Sequence, residues 1–348
     1  MHGSTTSFDA VEASAPPPVL PILSPPFWAG DRGSELVELT AQQDRVGIDD
    51  PATRNVDPLG LFTDWFGPGD RRSKPVHVPS SAGFHPRRVR VFRPSSGARR
   101  LAIDRRRFAD HIRIAYTVDG ETTSLSKLEH FDLALLPQLL SMREFARRLK
   151  QDNKPVATWL HTIGHHVGAE SHHERSLMMI ADFHPAVHFI AGQPFTMLWP
   201  VGAPLKTHTP DVMVMGPSNA PMIVDVRTPE EAADQTWVRK VPAIADALRL
   251  LGLGYAIWTG MSRPFRRNLE NLTEASVPAI SYDRWSRVAL DLCDEPMPAT
   301  ELADRLDASG YQRLWSLTLI RRMLWRRVLL TDMFSPYSRS STVWRNDA

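Results

Sequence analysis

The sequence predicts a mixed α/β protein, a sheet flanked by helices, with a disordered N-terminal tail and a small C-terminal unit of helices and strands. Three observations carry this. Residues 170–227 parse as helix, strand and β-hairpin, and a further helix and apolar strand follow. Prolines crowd the first 80 residues and break any period there. Past residue 296 the chain runs helix, turn, basic helix, strand, loop, strand.

With 348 residues, two or three folded units are expected, and a hydrophobic fraction of 42% is enough for real cores. The 29 prolines point to chain that is not packed. A single cysteine, Cys293, rules out an internal disulfide framework and suits a reducing cytoplasm. A formal charge of +2 permits nucleic-acid binding without arguing for it. No apolar run reaches transmembrane length, and the first residues lack a basic stretch followed by an apolar core. The expected address is cytoplasmic, with no membrane partner.

Taken in order, residues 1–80 are expected to be a tail. Its two apolar knots, Pro25-Pro26-Phe27-Trp28 and Leu59 to Phe66, are docking motifs, incidental hydrophobics or one short helix. Residues 85–150 form a basic subdomain. Its arginine run from Arg87 to Arg107 is either a phosphate-contacting surface or a solvated loop. Residues 89–92 read as a strand, and 111–118 as a strand ending at the hairpin signal Asp119-Gly120. One or two short helices are expected around Pro137, and a turn at 152–155.

The core is expected over 151–262. Glu170 to Ala181 has helical spacing, and Glu174 shares a stripe with Leu177, Met178 and Ala181. A carboxylate on that face needs a partner; an arginine would serve. Strands are expected near 187–190 and 195–199. His208-Thr209-Pro210-Asp211 then leads into a hairpin over 212–215 and 222–227. Strand alternation aligns Asp211 with Met213, and Asp225 with Ile223 and Arg227. A turn near Ser218 sets Asp211 beside Asp225, to within a residue or two. Two adjacent carboxylates repel unless a cation lies between them, and Arg227 or a hard metal ion can be that cation. Residues 228–251 read as one helix and 254–259 as an apolar strand.

A helical connector over 263–295 holds Cys293, expected to be an inert buried thiol. Residues 296–348 form a separate unit with Thr300 as a helix N-cap. Its Arg321, Arg322, Arg326 and Arg327 either meet DNA phosphates or face solvent or a protein partner. Seven histidines (161, 165, 166, 172, 173, 184 and 188) raise a zinc hydrolase as a rival. The H-E-x-x-H spacing that starts at His173-Glu174 fails because position 177 is Leu.

Glu174 in ESHHERSLMMIADF, Gln193-Pro194-Phe195, Asp211 in HTPDVMVM and Asp225-Val226-Arg227 together resemble the TnsA-like transposase endonucleases. These belong to the PD-(D/E)xK nuclease superfamily, which includes restriction-enzyme folds. The resemblance covers roughly residues 140–260 and, more loosely, the C-terminal unit. It implies a restriction-endonuclease-like core, a winged-helix-like C-terminal unit, and Mg²⁺- or Mn²⁺-dependent cleavage of double-stranded DNA. Glu174 and Asp211 become metal-site acids, and Asp225 the second metal-binding position. Gln193 and Glu170 support the site, and His208 is the histidine expected to touch substrate.

Arg227 stands where the family has lysine. Arginine donates to phosphate but does not lose its proton, so it cannot act as a base. The family cuts the 5′ ends of a mobile element beside a DDE-type transposase that cuts and joins the 3′ ends, commonly with an AAA+ ATPase regulator. Two alternatives remain: a DNA-binding assembly factor on an inactive nuclease fold, and a nuclease of a defence or repair system.

Overall fold

The computed structural model describes residues 58–69, 108, 110–143, 156–203, 205–216 and 221–347. The tail up to residue 57, the arginine run with its expected strand at 89–92, and the turn at 152–155 lie outside the described residues. So does most of the hairpin turn at 216–219.

The first helix, α1 (Gly60–Phe66), is the short helix among the readings of the second apolar knot. Its Phe62, Trp65 and Phe66 are buried in the main apolar cluster. Phe62 packs on the His184 ring with centroids 5.8 Å apart, and Thr63 Oγ1 lies 3.0 Å from His184 Nε2. Two glycines leave room for the helix. A Cβ on Gly254 would lie 2.6 Å from the Trp65 ring, and one on Gly216 2.5 Å from Phe66. Three aromatics in one turn and a half made α1 a core element in spite of its proline-rich flanks.

Strands β1 (Arg113–Tyr116) and β2 (Ser124–Lys127) form the hairpin expected at Asp119-Gly120. The helices expected around Pro137 are two 3₁₀ turns, Leu128–His130 and Leu133–Gln138. A second hairpin pairs β3 (Val156–Leu160) with β4 (His165–Ala169), and α2 (His172–Phe183) follows. Then come β5 (Phe189–Gly192), β6 (Thr196–Leu198), β7 (Thr207–His208), β8 (Val212–Met215) and β9 (Met222–Val226). The stretch read as one helix is three: α3 (Pro229–Ala233), α4 (Gln235–Val238) and α5 (Val241–Leu250). Asp234 caps α4, and Pro242, lacking an N–H, suits the first turn of α5 rather than a helix interior. Strand β10 (Gly254–Trp258) closes this region.

The central sheet has the order β10-β9-β8-β5, with β9 and β10 parallel and the other pairs antiparallel. Alternation divides its side chains between two apolar layers. Val212, Val214, Met222, Val224 and Trp258 join α2 on one side; Met213, Ile223, Tyr255 and Ile257 join α5 on the other. A second, antiparallel sheet runs β2-β1-β6-β7. The chain passes between the sheets at Gln193, which takes a left-handed φ of 49°.

After α6 (Arg263–Thr273) and α7 (Ala279–Leu292) come β11 (Met297–Pro298), α8 (Ala299–Ala308), α9 (Arg313–Trp325), β12 (Leu329–Thr331) and β13 (Thr342–Arg345). The last three strands form a sheet in the order β11-β13-β12. One expectation is corrected here. Helix α8 begins at Ala299 behind Pro298, so Thr300 lies inside the helix and does not cap it. The C-terminal elements pack against the core, where Leu319, Ile320, Met323, Leu324 and Trp325 share one apolar cluster with α2 and α6. Asn268 of α6 ties the two further, donating to the Met333 and Ser335 carbonyls and accepting from Tyr337 N. Cys293 is buried, and burial pushes its thiol pKa up, in line with an inert role. Among the described residues no helix is long and apolar enough to cross a membrane.

If α1 belongs to the core, Phe62→Ala should lower stability by about 3–5 kcal/mol, the usual cost of emptying a buried phenylalanine site. A urea midpoint equal to that of wild type would contradict the placement.

Candidate functional site

The β8–β9 hairpin pairs Val212 with Val224, Met213 with Ile223 and Val214 with Met222. One step outward sets Asp211 against Asp225, as the hairpin register predicts. Val226 N donates to Asp211 Oδ2 at 2.8 Å, and Asp211 N approaches Asp225 Oδ1 at a long 3.4 Å. Gln193 N donates to the Asp211 carbonyl, and Met142 N to the Gln193 carbonyl, so Gln193 positions the Asp211 segment through its backbone.

Asp225 is fully buried. The Tyr255 hydroxyl donates to its Oδ2 at 2.6 Å, and His208 Nε2 lies 2.9 Å from the same oxygen. Burial opposes ionisation of Asp225, but His208, Arg227 and Tyr255 together hold its pKa below the ordinary value. Its partners make Asp225 an anchored charge.

Asp211 is different. Burial first, and then the Asp225 charge, push its pKa up to about 6, against the pull of Arg227. Arg227 Nη1 donates to Asp211 Oδ2 at 2.8 Å and to the Val226 carbonyl oxygen. Burial opposes the charged guanidinium, but Asp211 and Asp225 outweigh it and its pKa rises. The Trp237 ring on α4 lies over the guanidinium carbon at 4.2 Å. From β9 onward the backbone is held too: Arg227 N donates to the Trp258 carbonyl, and His173 Nε2 lies 3.1 Å from the Arg227 carbonyl.

Glu174 enters from the start of α2. Ser171 caps the helix by accepting from Glu174 N. Glu174 returns the exchange, accepting from the Ser171 hydroxyl at 3.2 Å and from Glu170 N at 2.9 Å. Among the described residues, the partners of this buried carboxylate are those of the helix cap. Burial first, and the Asp211 charge next, push its pKa up to about 8. Glu170 itself pairs with Arg143 at 2.7 Å.

The hairpin thus brings Asp211, Asp225 and Arg227 together with His208, and Glu174 lies within electrostatic reach of Asp211. The C-terminal arginines lie elsewhere and turn inward. Arg321 bonds Asn271, Arg326 stacks on Tyr282 at 4.6 Å, and Arg327 lies over Phe183 at 5.7 Å. Arg322 is largely buried, which lowers its pKa. They serve the joint between α9 and the core. Trp237, Tyr255 and His173 are site residues that pattern reading missed. Only the S-x-x-E motif at Ser171 to Glu174 was a legible signal for what surrounds Glu174.

No family model matches the chain, and no curated protein matches it.

Among the described residues, no three His, Cys, Asp or Glu side chains converge as ligands. The donor chemistry nevertheless fits a hard divalent ion. Glu174 and Asp211 are buried carboxylates whose charged forms lack full compensation, and a cation is what would relieve them.

The Glu174 shift has a consequence for stability. Its folded pKa of about 8 lies above the ordinary 4.5, so between these values the folded state binds more protons than the unfolded. Stability should fall as pH rises through that window, by at most about 1.4 kcal/mol per pH unit. Glu174→Gln should flatten the slope in metal-free buffer. Urea midpoints that fall equally in wild type and variant from about pH 5 to about pH 8 would refute it.

Proposed function

We propose that this chain is a metal-dependent DNA endonuclease of the PD-(D/E)xK type, the TnsA-like subunit of a heteromeric transposase. The observation that carries the reading is the juxtaposition of Asp211 and Asp225 across the hairpin, with Glu174 facing Asp211 from a helix. The central sheet between two helical layers supports a restriction-endonuclease-like core. The order α8, α9, β12, β13 supports a winged-helix-like C-terminal unit. The partners proposed with it are transposon-end DNA, a DDE-type transposase and an AAA+ ATPase regulator.

Asp211 and Glu174 would hold a Mg²⁺ or Mn²⁺ ion. Such an ion polarises a phosphoryl oxygen and lowers the pKa of a bound water. The chain's own groups divide the remaining work. Arg227, permanently charged, stabilises the negative charge that builds on the phosphate. Asp211 and Glu174, buried and raised in pKa without an ion, would take their ionised forms on holding it and so serve as ligands. Asp225, anchored by Tyr255 and His208, fixes the register that presents Asp211.

One observation favours a second reading, an assembly factor on an inactive nuclease fold. Arg227 is already paired with Asp211 at 2.8 Å beside an Asp225 sealed from solvent.

Nicking of DNA carrying transposon ends, with Mg²⁺ or Mn²⁺ and the partner transposase present, separates the two. Asp211→Asn should slow it by at least about a hundredfold, the scale of losing one electrostatic stabiliser. Equal behaviour of wild type and variant would end the catalytic reading.

A further inference from the structure

We propose that Arg227 is a resident cation: its Nη1 fills the seat between Asp211 Oδ2 and the Val226 carbonyl oxygen that a divalent ion would occupy, and Trp237 holds it there. The proposal rests on the nuclease reading for its purpose, though its test does not.

The seat is defined by its oxygens. A carboxylate oxygen at 2.8 Å and a backbone carbonyl oxygen converge on one nitrogen of the guanidinium. Hard oxygens of these two kinds are the ligands that Mg²⁺ and Mn²⁺ take. The Asp211 oxygen is itself oriented by Val226 N, so both sides of the seat are fixed by the end of β9.

The occupant cannot vacate by losing its proton. A lysine there can become neutral, whereas a guanidinium keeps its charge at any accessible pH. It is also held from the side by the Trp237 ring, 4.2 Å from its carbon. That ring is well placed, because α4 begins on the Asp234 cap, and α3 before it on the Thr228–Glu231 capping box. Displacing Arg227 would not leave the site over-positive, since Asp211 and Asp225 remain as carboxylates and an ion beside Glu174 would favour its charged form. The released side chain, still tethered beside the seat, has the fork geometry that binds a phosphate. A phosphate and an ion would therefore favour each other: one draws the guanidinium off, and the other fills the place it leaves.

Mn²⁺ binding to the full chain without DNA, followed by the loss of the free-ion electron paramagnetic resonance signal, tests this directly. Arg227→Gln should bind one Mn²⁺ at least about tenfold more tightly than wild type, the scale on which a neighbouring unit charge alters an ionic equilibrium. Asp211→Asn in that background should abolish the gain. Trp237→Leu, which leaves every oxygen and the Arg227–Asp211 pair in place, should give a smaller gain; it carries the test if Arg227→Gln does not fold by circular dichroism. Affinity unchanged in both Arg227→Gln and Trp237→Leu, or a gain that survives loss of Asp211, would overturn the proposal. The same gain, alongside wild-type protein that fails to nick transposon-end DNA with Mn²⁺ and the partner transposase present, would instead sink the nuclease reading and leave the resident cation standing.

Discussion

The site depends on one ion pair, Arg227 with Asp211, made where water is largely excluded. Asp211, Asp225 and Glu174 bring three carboxylates into a buried corner of the sheet. Left alone they would raise one another's pKa until protons neutralised them. The guanidinium satisfies Asp211, while Tyr255 and His208 satisfy Asp225. Among the described residues Glu174 is held by a helix cap and paired with no cation, and it is the acid pushed furthest up. The division of roles follows from which carboxylate was given which partner.

The surrounding fold keeps that arrangement in register. The β8–β9 pairing sets the two aspartates opposite each other, and Gln193, in a left-handed conformation, fastens the Asp211 backbone while turning the chain toward the second sheet. Helix α4 delivers Trp237 onto Arg227 because Asp234 and Pro242 cut what would otherwise be one long helix. At the far side, α9 and its arginines close onto α6 and α7, so residues 296–348 brace the core.

Much of this was legible in the sequence, for reasons that differ by residue. The juxtaposition of Asp211 and Asp225 was readable because strand alternation and a known turn fix register by arithmetic. Glu174 was readable as a charge on an apolar stripe, although the S-x-x-E cap that satisfies it was passed over. Tyr255 and Trp237 were not readable. Each reaches the site from a separate element, and an apolar strand or a helix gives no sign of which neighbour it will face. Helix α1 was readable as a short helix but not as part of the core, because Trp65 and Phe66 are answered by tertiary gaps at Gly254 and Gly216. The contacts of Arg321, Arg326 and Arg327 were not readable either, because guanidinium groups stack on aromatic rings and bond amides as readily as they meet solvent or phosphate.

The central claim is that a guanidinium sits where a divalent ion belongs. Crystals soaked in Mn²⁺ together with a short DNA duplex, and examined by anomalous scattering, test it most directly. The account predicts one anomalous peak bounded by Asp211 Oδ2 and the Val226 carbonyl oxygen, with the Arg227 side chain swung away from Trp237 toward a phosphate. A peak elsewhere, with Arg227 still bonded to Asp211, would contradict it.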